Sequence, residues 1–422
     1  MNTHTLSVSI RAALAGAALL SMALISLAAE VPVTLKDAFQ NQFLVGAAVN
    51  RSMVAGGAAF RRGPEETAKD VTLLKEQFNQ ITAENDMKWA LIHPRAGSDG
   101  YDFGPADAFI NFGLSNKMYL VGHTLVWHSQ TPNWVFAGTN PPPATVTNRA
   151  NAGAATDVNV ATNRGRAGPG FGGGFGRYNG PRASREELLE RMRDHIHTVV
   201  GRYKGKVKSW DVVNEAIADG EGTNVLRNSL WVEIIGPDFI AKAFQFAHEA
   251  DPEAILRYND YGLENPAKRR KLITLIKSLK EQKVPIHAIG SQAHLNVSVT
   301  FETMDQALTE MKTLGLPIDI TELDVNTAAG GQRRTDADIA ANASATQGGV
   351  VAEADQRQAD AYAGIFRAFL KHRDAVKVVT FWGVNDAVSW RRQGRPLLFD
   401  SENKAKPAFH AVIAEARKAN AK

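Results

Sequence analysis

Cysteine is absent from the 422 residues. No disulfide can hold this fold and no thiolate can do its chemistry, so stability has to come from core packing. Neither sign of charge dominates. The 48 Lys and Arg face 44 Asp and Glu, a formal net charge of +4, one less once Arg11 is set aside, and electrostatics names no polyanionic partner. After the N-terminal stretch, no run approaches the ~20 apolar residues that span a bilayer. That stretch has a single basic Arg11, an apolar run from Ala12 to Leu27 and a small-residue end, SLAAE, the build of a secretory leader. Residues 1–29 are read as a signal peptide and 30–422 as one soluble domain, exported to periplasm or medium and acting as a monomer. Roughly 390 mature residues suffice for a large core.

What is present is a rhythm. Eight short apolar runs recur, FLVGAAV, NQITAEN, YLVGHTLVW, VKSWDVVNE, AILRYND, HAIGSQAHL, PIDITELDV and VVTFWGVND. Segments of helical period lie between them, among them REELLERMRDHIHTVVGRY and KRRKLITLIKSLKEQ. Alternation of this kind predicts an α/β fold, either a closed (β/α)8 TIM barrel or a doubly wound sheet. Polar residues at the C-terminal ends of the runs favour the barrel: Glu84 and Asn85, His123, Asn214 and Glu215, Gln292 and His294, Glu322 and Asp324, Asn385. Strand ends of a barrel converge on one face, whereas a doubly wound sheet gathers its site at a switch point. No glycine-rich phosphate loop follows the first strand.

Two stretches break the rhythm. Residues 138–183, after the third strand, hold PPP and then RGRAGPGFGGGFGRYNG, a composition unable to bury enough apolar surface to fold alone. A mobile surface insertion is expected, bordering the site, where Phe171, Phe175 and Tyr178 could meet a long polymer; nucleic-acid binding by its arginines is not expected. A second polar insertion, about 327–352, follows the seventh strand. No linker leads to a separate binding module.

Two carboxyl groups suffice to cleave a glycosidic bond, one protonating the leaving oxygen and the other attacking the anomeric carbon or activating water. Glu215 ends an apolar strand in WDVVNEA, and Glu322 lies inside ITELDV. A buried carboxylate needs partners or a task. The wider pattern, ITAENDMKW, GHTLVWHSQTPNW, RMRDHIHTVVGRYKGKVKSWDVVNEA, RYNDY, GSQAHL, ITELDV and WGVNDAVSW followed by PLLFD, resembles family 10 glycoside hydrolases from about Phe39 to Phe409. The resemblance implies a (β/α)8 barrel that hydrolyses internal β-1,4 bonds of xylan with net retention.

Residue by residue, it implies Glu215 as acid/base and Glu322 as nucleophile, with Asn214 holding the 2-hydroxyl of the cleaved sugar. His294 would bond the nucleophile and be held by Asp324, a relay that keeps Glu322 ionised and aimed. Gln292 belongs to the same pattern. Glu84, Asn85 and Lys88 match sugar-binding residues, with His123, Trp127 and Gln130 completing the wall and Trp382 and Trp390 forming an aromatic lid. Sugars offer an apolar face and a polar rim, which suits tryptophan beside fixed hydrogen-bonders. Trp134, Trp210 and Trp231 read as core, and His195 and His197 as structural or solvent-facing. Asn259 and Asp260 of RYNDY read equally as supporting residues or rim structure. The early HxH pattern of metal-dependent barrels is missing, so neither metal nor cofactor is expected. The partners are xylan and xylooligosaccharides, not nucleic acid or membrane. A β-1,4-glucan enzyme and a catalytically dead binding protein are the other readings; the latter should lack a glutamate or His294, and lacks none. The short RRQGR after Trp390, where relatives often carry a longer segment, leaves subsite number open.

Overall fold

The structure, a computed structural model, describes residues 33–56, 62–138, 178–327 and 349–421. Among the described residues nine strands are defined: β1 Leu44–Val49, β2 Gln80–Ala83, β3 Tyr119–Trp127, β4 Ser209–Asn214, β5 Ile255–Asp260, β6 Ala288–Ser291, β7 His294–Asn296, β8 Ile318–Asn326 and β9 Val376–Phe381. All pairings between these strands are parallel. β1 to β6 follow chain order, β6 pairs β8, β8 pairs β9 and β9 returns to β1, which closes an eight-stranded barrel. The doubly wound alternative is thereby excluded.

Each apolar run of the sequence forms a barrel strand, and the run HAIGSQAHL is the one that divides. Ala293 adopts φ 58°, a left-handed conformation that ends a strand. The chain resumes as the three-residue β7, paired only with β8. Helices with local start signals flank the barrel. Arg185–Arg202 opens with a capping box in which Ser184 and Glu187 satisfy each other's backbone. Pro266–Glu281 opens with Asn265 accepting from the Ala267 amide and Pro at the first position. None of the described helices is long and apolar enough to cross a membrane.

The barrel interior is more polar than alternation alone suggests. Gln80 reaches across β1 to accept a 2.7 Å bond from Thr380, and Arg257 reaches across β6 to Asp319 at 2.7 Å while holding Asp211 at 2.7 Å. Glycines stand where such crossings occur. A Cβ on Gly46 would lie 1.5 Å from Gln80 Oε1, and one on Gly290 would lie 2.4 Å from Asn259 Oδ1. Both strands give up a side chain so that a neighbour can pass over them.

Three strands carry bulges near their C-terminal ends. Between β3 and β4 the register moves from His123↔Asp211 to Val126↔Val213; between β4 and β5, from Asp211↔Arg257 to Val213↔Tyr258; between β8 and β9, from Ile320↔Val379 to Leu323↔Phe381. An added residue reverses which side of the strand each later side chain takes. Asp211 and Asp319 therefore face the interior at odd positions, and beyond the bulges Asn214, Glu322 and Asp324 face it at even ones.

The expected signal peptide lies outside the described residues, as do most of both insertions, with Phe171 and Phe175. The flanks of the first are tied to each other by the Ala137–Arg182 bridge and by Gly138 N–H donating to Pro181 O at 2.9 Å, and within the second flank the Tyr178 hydroxyl donates to Pro181 O at 2.9 Å.

Candidate active site

Glu322 is buried on β8, and both its oxygens are engaged. Asn259 Nδ2 donates to Oε1 at 2.8 Å, and His294 Nε2 stands 3.2 Å from Oε2. His294 Nδ1 lies 2.9 Å from Asp324 Oδ2. Burial would lower the imidazole pKa, but Asp324 and Glu322 outweigh it and raise it to about 9. An imidazolium donates from both nitrogens, which is what a ring gripped by two carboxylates requires. Asp324 is fully buried; burial favours its neutral form, yet His294 and Arg391 hold its pKa below the usual range. Arg391 and the Trp390 indole N–H also donate to it.

Glu215 follows β4 directly. Consecutive strand residues face opposite sides, so for Asn214 and Glu215 both to face the mouth the chain must leave strand geometry. Glu215 does so with φ 55°, a costly conformation for a residue with a side chain and one concentrated at functional sites. Its carboxyl is buried and receives neutral donors, Gln292 Nε2 on Oε1 at 3.1 Å and the Trp127 indole N–H on Oε2 at 3.1 Å. Amides connect the two carboxyl groups. Gln292 Nε2 lies 3.3 Å from Asn214 Oδ1, which accepts from Asn259 Nδ2 at 2.8 Å, and that same nitrogen meets Glu322.

The wall comes from β2, β3 and the segments that follow them. Lys88 donates to Asn85 Oδ1 at 2.9 Å and lies 5.3 Å from the centre of the Trp127 ring. Burial lowers its pKa against the opposing pull of Glu322, Glu84 and Glu215, which places Lys88 among three carboxyl groups. Burial raises the pKa of Glu84 despite Lys88. Gln130 lines the same crevice as Lys88 and Trp127. His123 is buried with Nδ1 2.9 Å from Asp211 Oδ2, and it meets Trp382 edge-on at 5.3 Å. Trp382 also meets His294 edge-on at 6.4 Å, while Trp390, 51% exposed, lies 5.0 Å from the His294 ring.

The fold thus brings Glu84, Asn85, Lys88, His123, Trp127, Gln130, Asn214, Glu215, Gln292, His294, Glu322, Asp324, Trp382 and Trp390 to one end of the barrel. Asn385, in the segment after β9, donates to Asp70 and Asn403. Trp210 and Trp231 are fully buried, and Trp134 packs edge-on against Trp89. His195 is buried and stacked 3.7 Å from Trp89, and His197 meets Glu249 at 3.0 Å. Asn259 supports the site: its Nδ2 links Asn214 and Glu322, and its Oδ1 accepts from Thr321 at 2.6 Å. Arg391 escaped the reading of the sequence, since only the fold brings RRQGR beside Asp324. No group of three or more His, Cys, Asp or Glu among the described residues is arranged to hold a metal ion.

The His294 relay makes stability depend on pH. Its folded pKa of about 9 exceeds the ~6.5 of an unfolded histidine. The contribution, on the order of 3 kcal/mol, is fully present below pH ~6.5 and is lost as pH rises through about 9. Urea unfolding at pH 6, 7.5 and 9 should show this decline, and Asp324→Asn should flatten it. Equal slopes in both proteins would remove the relay as its source.

Comparisons with known proteins agree with this geometry. The model of glycosyl hydrolase family 10 matches residues 34–155 and 176–415. An endo-1,4-beta-xylanase of Geobacillus stearothermophilus is 38% identical over 388 residues, 90% of this chain and 98% of that protein. A beta-1,4-xylanase of Dictyoglomus thermophilum is 35% identical, covering 91% of each. The crystal structure of a xylanase from Paenibacillus barcinonensis, complexed with a conduramine derivative, superposes with a TM-score of 0.72 at 32% identity, over 91% of this chain and 99% of that one. With its barrel, its paired glutamates and these matches along nearly the whole described chain, the protein belongs to glycosyl hydrolase family 10.

Proposed function

We propose that the cleft hydrolyses internal β-1,4-xylosidic bonds of xylan by double displacement, with Glu322 as nucleophile and Glu215 as acid/base. The observation that carries this division is the difference in donors. Glu322 is gripped by a protonated His294, a charge-assisted contact about twice as strong as a neutral one, whereas Glu215 receives the neutral N–H groups of Trp127 and Gln292. The reaction follows from it. Glu322 attacks the anomeric carbon as Glu215 gives its proton to the leaving oxygen, a glycosyl ester forms, and Glu215 then takes a proton from the water that cleaves the ester. Asn214, held by Asn259 and Gln292, is placed to meet the 2-hydroxyl. Glu84, Asn85, Lys88, His123 and Gln130 supply the polar rim for the glycone sugars. The leader-like residues 1–29 support export of the enzyme, which acts as a monomer on xylan and xylooligosaccharides.

Substrate choice rests on the aromatic rim. Trp382 and Trp390 flank His294 and crowd the space that a hydroxymethyl group would need. Xylose lacks that group. Turnover of xylan is expected to exceed that of carboxymethylcellulose by ~10–100-fold, the usual discrimination from one small substituent, measured as reducing sugar released at matched concentration. Comparable rates would favour the glucan reading.

A further inference from the structure

Glu215 is held in a left-handed backbone conformation, and its side-chain contacts alone do not explain how. The amides that follow it do. Ala216 N–H and Ile217 N–H both donate to the Tyr258 hydroxyl oxygen at 3.0 Å, and that hydroxyl donates to Asp260 Oδ2 at 2.6 Å. Ile217 N–H also reaches Asp260 Oδ2 at 3.2 Å, and Lys268 Nζ holds the other oxygen of Asp260 at 2.8 Å. On the opposite side, Arg227 Nε donates to the Glu215 carbonyl at 2.9 Å. The Glu215 N–H donates to Asn259 O at 2.8 Å. The Ala216 carbonyl accepts from Arg227 N–H at 2.8 Å, so every backbone polar group from Glu215 N to Ile217 N is tied, and most of the ties lead to β5.

We propose that Tyr258, with Asp260 behind it, is the positioning residue of the acid/base: it pins the turn after Glu215 so that the carboxyl faces the leaving oxygen. Resting on the assignment of Glu215 as acid/base, the proposal divides β5 between the two catalytic groups. Tyr258 and Asp260 serve Glu215, and Asn259, between them, serves Glu322. Burial holds the Tyr258 phenol well above its usual pKa, so its proton stays in place and is directed at Asp260. Tyr258 and Asp260 are fully buried, and their hydrogen bonds to the turn go to its backbone.

A displaced acid/base harms only the steps that use it. Glycosylation by a phenyl xylobioside needs a proton on the leaving oxygen, whereas 2,4-dinitrophenolate leaves without one. Tyr258→Phe deletes one oxygen and leaves the ring. It is expected to lower kcat/KM for the phenyl substrate by ~10–100-fold, the scale of an angstrom-sized misplacement of a catalytic group. For the dinitrophenyl substrate kcat/KM should stay within about two-fold. There kcat and KM should fall together, because the glycosyl ester accumulates, and azide should restore kcat. A merely structural role would depress both substrates alike, and that result, or an unchanged enzyme, overturns the proposal. Should Tyr258→Phe fail to fold, Arg227→Lys removes the hold on the Glu215 carbonyl and has to show the same split. Glu215→Ala is measured alongside. If it lacks the leaving-group dependence, the assignment of the acid/base has failed; if it shows the dependence and Tyr258→Phe does not, only the positioning role has failed.

Discussion

Glu322→Ala is expected to lose ~10⁴–10⁶-fold in turnover on every xyloside, whatever its leaving group, the scale on which removal of a covalent nucleophile is felt. Glu215→Ala separates the two half-reactions. On xylan the loss should be ~10²–10⁴-fold, the range of general acid catalysis. On an activated aryl xylobioside the glycosyl ester should form and persist, and added azide should release it as a glycosyl azide of β configuration, because two inversions restore the starting stereochemistry. Proton NMR of the azide product reads the outcome directly. An α-azide would mean direct displacement without an ester at Glu322, and the retaining assignment would be wrong.

Arg257→Leu is expected to cost roughly 3–5 kcal/mol of stability, because it strips the guanidinium from two carboxylates inside the barrel. Asp211 and Asp319 are both buried, each 2.7 Å from Arg257. Burial pushes both carboxyls toward the neutral form; Arg257 with His123 keeps Asp211 below its ordinary pKa, while Asp319 stays above. Denaturant unfolding measures the loss, and adding Asp319→Asn to Arg257→Leu should recover part of it, since one stranded charge is then gone. A loss under about 1 kcal/mol would place the variant among ordinary surface changes and would show that water reaches these carboxylates. The effect should extend to the site, as Asp211 also orients His123.

Much of this was legible beforehand, for physical reasons. A parallel barrel buries its strands on both faces, so they appear as apolar runs, and polar groups that end such runs have few places to go other than the mouth. WDVVNEA and ITELDV stood out because a carboxyl group there is costly. Partners that depend on long-range register stayed hidden. Nothing local to RYND says that Arg257 joins Asp211 to Asp319, that Tyr258 pins the turn after Glu215, or that Asn259 links Asn214 to Glu322. Each contact exists because β4, β5 and β8 are aligned around a closed ring, with Gly290 leaving room between them. Asn385 was equally hard to read: it lies in the segment after β9, and its amide goes to Asp70.

The bulges bear on how such an enzyme can change over generations. Val212 supplies the added residue of β4 between Asp211 and Val213. A chain that lost this one codon would keep Asp211, Asn214 and Glu215 in its sequence, yet the restored pleat would turn Asn214 away from the barrel axis and carry Glu215 out of reach of Gln292 and Trp127. In β8, an added residue between Ile320 and Leu323 does the same for Glu322 and Asp324. Single-residue insertions and deletions within these strands are therefore graver lesions than most substitutions.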